Sequence, residues 1–215
     1  GMLIRALPVL SKLRIVLGSQ SPRRRELLER AGLSGFAVVS SQVDESVEPG
    51  ALPRDAVLQI ARRKCRALAN SDNPAIVEAQ LILCADTVVV IDNGRRIVSK
   101  PEQPDVAKQM LQELSGQEHQ VLTAVCVAYR RCSADAFAFD EFVESTSVVF
   151  GQLDDMIIDW YVSTGEPLDK AGGYGIQGLG CSLVESIQGD YYNVMGLPVH
   201  RLGCYLDRIC RDTFV

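Results

Sequence analysis

The chain has 215 residues, 47% of them hydrophobic and 23% charged, which is the composition of an ordinary globular protein with enough chain to bury a substantial core. Its 22 Lys and Arg against 27 Asp and Glu leave a net charge of -5, which excludes wholesale binding to a nucleic-acid backbone, so any basic site has to be local. Seven cysteines, without a C-x-x-C pair and set mostly inside apolar runs, read as reduced core thiols of a cytoplasmic protein and not as a zinc site or disulfide frame.

Residues 1–13 read as an N-terminal extension ahead of a single domain over residues 14–215, with Gly1 before Met2 the remnant of a removed tag. The extension carries no signal-peptide pattern, and no apolar run in the chain approaches membrane-spanning length. Arg14 to Ser19 is strand-like, and the next segment has Ser21 as N-cap, Pro22 at the first helical position and Gly32 as the stop, which predicts a helix between them. Phe36 to Ser41 is a second short strand, followed by the polar loop VDESVEPGA and a helix from near Pro53 to about Asn70. The β-branched run Leu81 to Ile91, the turn Asp92-Asn93-Gly94 and the segment Arg96 to Ser99 predict a hairpin. Pro104 to Ser115 has an amphipathic pattern through Val106, Met110, Leu111 and Leu114. Strands at Gln120 to Tyr129 and Phe137 to Phe150, a helix at Leu153 to Ser163, a glycine-rich stretch, a strand near Cys181 to Ile187 and a last helix from about Pro198 to Cys210 complete the chain. The order is that of an α/β protein with one central, partly antiparallel sheet flanked by helices.

Three polar groups stand where the pattern calls for apolar ones. Val57, Ala61, Lys64 and Leu68 share one face of the helix from Pro53, so a lysine sits in the apolar stripe. It either snorkels past its neighbours or reaches an anionic site, where a compact ammonium can meet a phosphate. Asp86 interrupts LILCADTVVVI, and an ionised carboxylate in a buried strand costs several kcal/mol unless a cation or donor faces it. It either caps a local amide at a bend, or serves as a general base or magnesium ligand with the Thr87 hydroxyl beside it. The junction SQSPRRR gathers the hydroxyls of Ser19 and Ser21, free backbone amides and Arg23, Arg24 and Arg25 at a helix N-terminus, where cations oppose the helix dipole and a polyphosphate would reverse that penalty. Lys100 next to Pro101, and Glu45 with Asp44 in the polar loop, add another cation and further carboxylates. His119 and His200 are isolated and read as packed or surface residues.

The spacing G-x-G-x-x-G at Gly173 to Gly178 matches a dinucleotide fingerprint, but a polar segment precedes it and a strand follows, so it does not open the helix of a βαβ unit. A tight loop is the better reading.

Taken together, GSQSPRRRELL at Gly18 to Leu28, VDE at Val43 to Glu45, ARRK at Ala61 to Lys64, ADTVV at Ala85 to Val89, KP at Lys100, SGQEHQVLTAV at Ser115 to Val125, LDKAGGYGIQG at Leu168 to Gly178 and YYNVMGLP at Tyr191 to Pro198 resemble, in order, the motifs of the Maf family of nucleoside triphosphate pyrophosphatases. The resemblance implies a Maf/ITPase-like fold of two lobes with a cleft between them, and hydrolysis of a nucleoside triphosphate to the monophosphate and pyrophosphate. It further implies a divalent cation, Mg2+ or Mn2+, with Glu45 and Asp86 as its carboxylates, and a cytoplasmic homodimer. G-I-Q-G at Gly175 to Gly178 is similar to the branch acting on dTTP and UTP; the sister branch acting on 7-methyl-GTP differs there. The resemblance casts Asp86 as the base for the attacking water and Arg23, Thr87 and Gln177 as the positions of base choice. Glu45, Lys64 and Lys100 match charged active-site positions. Gly18 stands where the family usually has alanine. The family's link to arrest of cell division leaves open a nucleotide-binding regulator that acts through protein binding, and a sensor that binds without hydrolysis.

Overall fold

The computed structural model describes residues 2–215; Gly1, with its reading as a tag remnant, lies outside the described residues. In chain order the helices and strands are α1 (Met2–Leu10), β1 (Ile15–Leu17), α2 (Pro22–Arg30), β2 (Ala37–Val38), α3 (Pro53–Ala69), α4 (Pro74–Val77), β3 (Leu81–Ile91) and β4 (Arg96–Val98). There follow α5 (Pro104–Leu114), β5 (Glu118–Tyr129), β6 (Ala138–Phe150), α6 (Asp155–Ser163), three short 3-10 turns between Glu166 and Leu183, β7 (Val184–Gln188), α7 (Tyr191–Met195) and α8 (Val199–Ile209). The chain forms two compact units: residues up to Asp86 with Ala124–Glu144 and Gly196–Val215, and Thr87–Thr123 with Ser145–Met195.

In the first unit the strand order is β2-β1-β3-β5-β6. β1 runs parallel to β2 through Val16 opposite Ala37, and parallel to β3 through Val16 opposite Ile82. All three residues of β1 are buried, as expected for a strand covered on both faces. The helices of this unit also bury apolar faces: α2 through Leu27 and Leu28, and α3 through Val57, Ile60, Ala61, Cys65 and Leu68. The N-terminal segment, expected as an extension, is a helix of this unit: Leu3, Ala6 and Leu10 are buried, and α1 packs on α8. Gly203 permits that contact, because a β-carbon there would lie 2.8 Å from Leu3 Cβ. Arg5 ties the pair together, its Nε donating to Asp207 Oδ1 at 2.8 Å.

In the second unit β3-β5-β6-β7 are neighbours, with β4 paired antiparallel to β3 from Val89 opposite Val98 to Ile91 opposite Arg96. Asp92, Asn93 and Gly94 all take positive φ, the conformation that tight hairpin loops demand. Some details of this unit differ from expectation. Val106 is 39% exposed, and the buried stripe of α5 runs through Ala107, Leu111 and Leu114. Leu179–Leu183 forms a 3-10 turn, so β7 starts at Val184 and not near Cys181. It pairs antiparallel with β6, Ser147 opposite Gln188.

The core of this unit includes an aromatic triad. His119 meets Phe150 and Tyr174 edge-on at centroid distances of 5.0 and 5.4 Å, and its Nε2 shares a 2.7 Å hydrogen bond with the Tyr174 hydroxyl. Burial lowers the His119 pKa to about 4, so the ring is held neutral. The unfolded chain, with histidine near 6.5, therefore binds more protons than the folded one between those values. The His119 contribution is fully present above about pH 6.5 and is lost as pH falls toward 4, by up to roughly 3 kcal/mol at about 1.4 kcal/mol per pH unit. Thermal melts of the wild type and His119→Phe from pH 7.5 to 4.5 check this: the difference in Tm should shift in favour of the variant as pH falls below about 6.5, and a pH-independent difference contradicts it.

Candidate functional site

The chain leaves β1 through Gly18, whose backbone N–H donates to Leu83 at 2.8 Å. A methyl group on Gly18 would collide with Cys84 Sγ and Leu68 Cδ1, which accounts for glycine where the resembling family has alanine. Ser19 Oγ then accepts from the Ser21 N–H and from Arg24 Nη1, each at 3.2 Å, and Arg24 Nε donates to the Gly196 carbonyl at 2.8 Å. Ser21 is the N-cap of α2 through a long 3.5 Å contact with the Arg24 N–H. The three arginines of the junction thus diverge. Arg25 pairs with Glu29 along the exposed helix face at 2.9 Å, Arg23 is half-buried, and Arg24 turns inward. Burial pulls the Arg24 guanidinium below its ordinary value, against the attraction of the Asp86 carboxylate; Arg23 adds to the lowering, and Cys84 and Glu45 oppose it. Those couplings join the Ser-Pro-Arg junction electrostatically to the carboxylates of the same unit.

The cation that Asp86 requires is Lys64. Its Nζ lies 2.9 Å from Asp86 Oδ1 and 2.7 Å from Glu45 Oε1, and the Lys64 and Asp86 side chains are only 12% and 13% exposed. The lysine in the apolar stripe of α3 therefore reaches an anion on β3 instead of snorkelling to solvent. Glu45 comes from the polar loop before α3, and the residue that shapes this loop is Arg63, whose Nη1 donates to the carbonyls of Asp44 and, at 3.0 Å, Ser46. Asp44 closes the turn by accepting from the Ser46 N–H at 2.9 Å and Ser46 Oγ at 2.5 Å. Arg63 was within the motif ARRK but had no signal of its own, since its partners are backbone carbonyls.

Three predicted residues belong to the second unit. Thr87 Oγ1 is 3.0 Å from Thr123 Oγ1, which donates to the Asn193 carbonyl at 3.2 Å. Asn193, fully buried in the motif YYNVMGLP, donates from Nδ2 to the Val121 carbonyl and to Thr146 Oγ1, both at 3.0 Å. Lys100 is exposed just before Pro101, and Gln177 is exposed on the glycine-rich loop.

That loop closes on protein groups. Glu166, unremarked in the sequence, accepts from the Gly180 N–H at 3.0 Å, the Tyr161 hydroxyl at 2.8 Å and the Leu179 N–H at 2.9 Å. Tyr161 Oη also accepts from the Gly175 N–H at 3.1 Å. The loop lies close against these side chains: a β-carbon on Gly178 would lie 2.5 Å from Glu166 Oε2, and one on Gly175 2.8 Å from Lys170 Cε. The tight loop expected from the glycine spacing is therefore present, and it packs on Glu166, Tyr161 and Lys170. An acidic residue just ahead of a run of free amides was the available clue.

Lys64→Met keeps the apolar stem but strands the Asp86 carboxylate, so it should cost about 1–3 kcal/mol, or several degrees of Tm. Adding Asp86→Asn should recover most of that loss, because the pair is removed together. Melting curves of both variants measure this; a single variant as stable as the wild type contradicts the pairing.

Comparison with known proteins agrees with this arrangement of motifs. The chain matches the family model described as "Maf-like protein" over residues 14–209. It is 49% identical over 195 residues, 91% of this chain and 93% of the other, to a protein of Anaeromyxobacter dehalogenans named dTTP/UTP pyrophosphatase. It is 44% identical over 189 residues, 88% and 92% of the two chains, to a Bacillus cereus protein of the same name. Among solved structures, a nucleoside-triphosphatase, dITP/XTP pyrophosphatase, of Mycobacterium abscessus aligns with 66% of this chain and 76% of its own at 14% identity and a TM-score of 0.38. With a family model matched along nearly its whole length, and relatives close to half identical, the chain belongs to the Maf family.

Proposed function

We propose that the protein hydrolyses dTTP and UTP to the nucleoside monophosphate and pyrophosphate. The observation that carries this reading is the carboxylate of Asp86, set in an apolar strand against the Lys64 ammonium and electrostatically coupled to Arg24. The names of the relatives supply the substrate class. A base, two cations and a second carboxylate within one unit are what attack of water on a phosphoanhydride needs.

In this account Asp86 takes a proton from a water that attacks the α-phosphorus, a bond forms from the water oxygen to phosphorus, and the bond from the α-phosphorus to its bridging oxygen breaks. The electron pair leaves with pyrophosphate. Lys64 and Arg24 offset the charge on the phosphate oxygens, and Ser19 and Ser21 supply hydroxyls at the same junction. Lys100 and Arg23 are assigned to phosphate and base contacts by the family resemblance, with Thr87 and Gln177 reading the base. The Gln177 amide, with both a donor group and an acceptor, suits the O4 and N3–H edge of uracil or thymine.

A magnesium ion fits the residues present. No group of three or more His, Cys, Asp or Glu side chains suited to a metal occurs among the described residues. Asp86 and Glu45 both converge on one ammonium, however, and two carboxylates completed by water and phosphate oxygens are the usual protein share of a magnesium site. Bound there, the ion would neutralise phosphate charge and lower the pKa of a water. The assignment of a cytoplasmic homodimer rests on the family resemblance and, for the compartment, on seven cysteines that are all unpaired. No helix among the described residues is long and apolar enough to cross a membrane.

Asp86→Asn should lower kcat about 10²- to 10⁴-fold, as for loss of a general base, measured as pyrophosphate release at saturating magnesium. Wild-type turnover by the variant would remove Asp86 from the chemistry. Gln177→Ala should reduce the ratio of kcat/KM for UTP over CTP by about 10- to 100-fold, more than it reduces the best rate, since CTP presents the reversed donor and acceptor. An unaltered ratio in competition assays places base recognition elsewhere.

A further inference from the structure

We propose that Glu166 is a specificity-positioning residue: its carboxylate, with the Tyr161 hydroxyl, fixes the backbone on both sides of Gln177 and so holds the amide in the orientation that discriminates pyrimidine bases. The inference rests on the reading of Gln177 as the base-selecting residue and names what makes that selection geometric.

Gln177 is exposed on a turn closed by the Gly178 N–H donating to the Gly175 carbonyl at 3.1 Å, outside any strand or helix ladder. A side chain on such a loop would sample many orientations, and each would weaken discrimination between bases that differ by one reversed hydrogen-bond pattern. Glu166 and Tyr161 remove that freedom from fixed elements of the second unit. Before Gln177, the Gly175 N–H donates to Tyr161 Oη at 3.1 Å. After it, the Leu179 N–H donates to Glu166 Oε2 at 2.9 Å and the Gly180 N–H to Oε1 at 3.0 Å. The Tyr161 hydroxyl donates to the same Oε1 at 2.8 Å, which closes the circuit. Tyr161 is itself buried on α6, so the anchor is part of the core. Lys170 braces the other side, with Nζ donating to the Glu166 backbone carbonyl at 2.8 Å.

The chemistry of the clamp is specific to a carboxylate. All three partners of the Glu166 side chain are donors, and a carboxylate offers acceptors only. Burial pushes the Glu166 carboxyl up, but the Gly180 N–H, the Tyr161 hydroxyl, the Leu179 N–H and the Lys170 charge outweigh it and hold the group below its ordinary value. An amide cannot replace it, because its NH2 would face either the Leu179 N–H or the Gly180 N–H and Tyr161 hydroxyl. The absence of side chains at Gly175, Gly178 and Gly180 is what lets the loop lie this close to the clamp. A β-carbon at Gly180 would lie 2.7 Å from both the Gly175 carbonyl oxygen and Tyr161 Oη.

The test is a cycle of Glu166→Gln, Gln177→Ala and the double variant, with kcat and KM measured for UTP and CTP. Glu166→Gln should lower the UTP-to-CTP ratio of kcat/KM about tenfold, while kcat for UTP falls less than about threefold. In the Gln177→Ala background it should leave the ratio where Gln177→Ala alone sets it, because both act through one amide. Should Glu166→Gln fail to fold, Tyr161→Phe removes one hydroxyl of the same clamp and should shift the ratio in the same direction, by less. If Gln177→Ala lowers the ratio and Glu166→Gln leaves it unchanged, or lowers it further in the double variant, the clamp is overturned and base reading by Gln177 stands. If Gln177→Ala leaves the ratio unchanged, the base-reading assignment fails and the positioning role falls with it.

Discussion

The contact of the Lys64 ammonium with Asp86 and Glu45 is the constraint around which the first unit is organised. A carboxylate in the middle of an apolar strand is tolerated only with a cation at hydrogen-bonding distance, and a lysine in the stripe of α3 only with an anion to meet. Each explains the other. The pairing fixes the placement of α3 against β3, and it draws in the loop that carries Glu45, held from outside by Arg63 on the carbonyls of Asp44 and Ser46. A compact ammonium suits this position better than a guanidinium, because two carboxylates from different segments approach one point and not one planar fork. The same arrangement keeps a carboxylate and a cation together at low exposure, which is a disposition suited to a polyanionic substrate.

The second unit solves a different problem, the stabilisation of irregular backbone. From Glu166 to Leu183 the chain makes three short 3-10 turns. The backbone amides of this stretch need partners that regular structure would otherwise supply. Glu166 and Tyr161 take three of them, and the aromatic packing of His119, Phe150 and Tyr174 anchors the start of the loop in the core. Thr123, Thr146 and Asn193 do the same for the segment that carries Thr87 and the turn before α7, with Thr146 Oγ1 donating to the Asp190 carbonyl at 2.9 Å.

Where local pattern sets structure, the sequence was legible. β3 has the bounds that its largely apolar run predicts despite Asp86 in its middle, and α3 starts at Pro53 because proline pre-organises a first turn. Asp86 and Lys64 stood out because they broke two apolar patterns, and the structure places them against one another. The order of motifs carried the family. What escaped detection depends on partners distant in sequence. The apolar face of α1 packs chiefly on α8, at the other end of the chain, and Pro8 within it masked the helix. Val106 fits the period of α5 but faces outward, and Ala107 is the residue buried beside it. Glu166 and Arg63 bond chiefly to backbone, which leaves no complementary residue to recognise.

The proposed reaction is attack of a water, deprotonated by Asp86, on the α-phosphorus of a pyrimidine nucleoside triphosphate. Hydrolysis of UTP in 18O-labelled water, with the products resolved by mass spectrometry, tests it most directly. The label should appear in the nucleoside monophosphate and not in pyrophosphate; label in pyrophosphate, or release of orthophosphate as the first product, would contradict it.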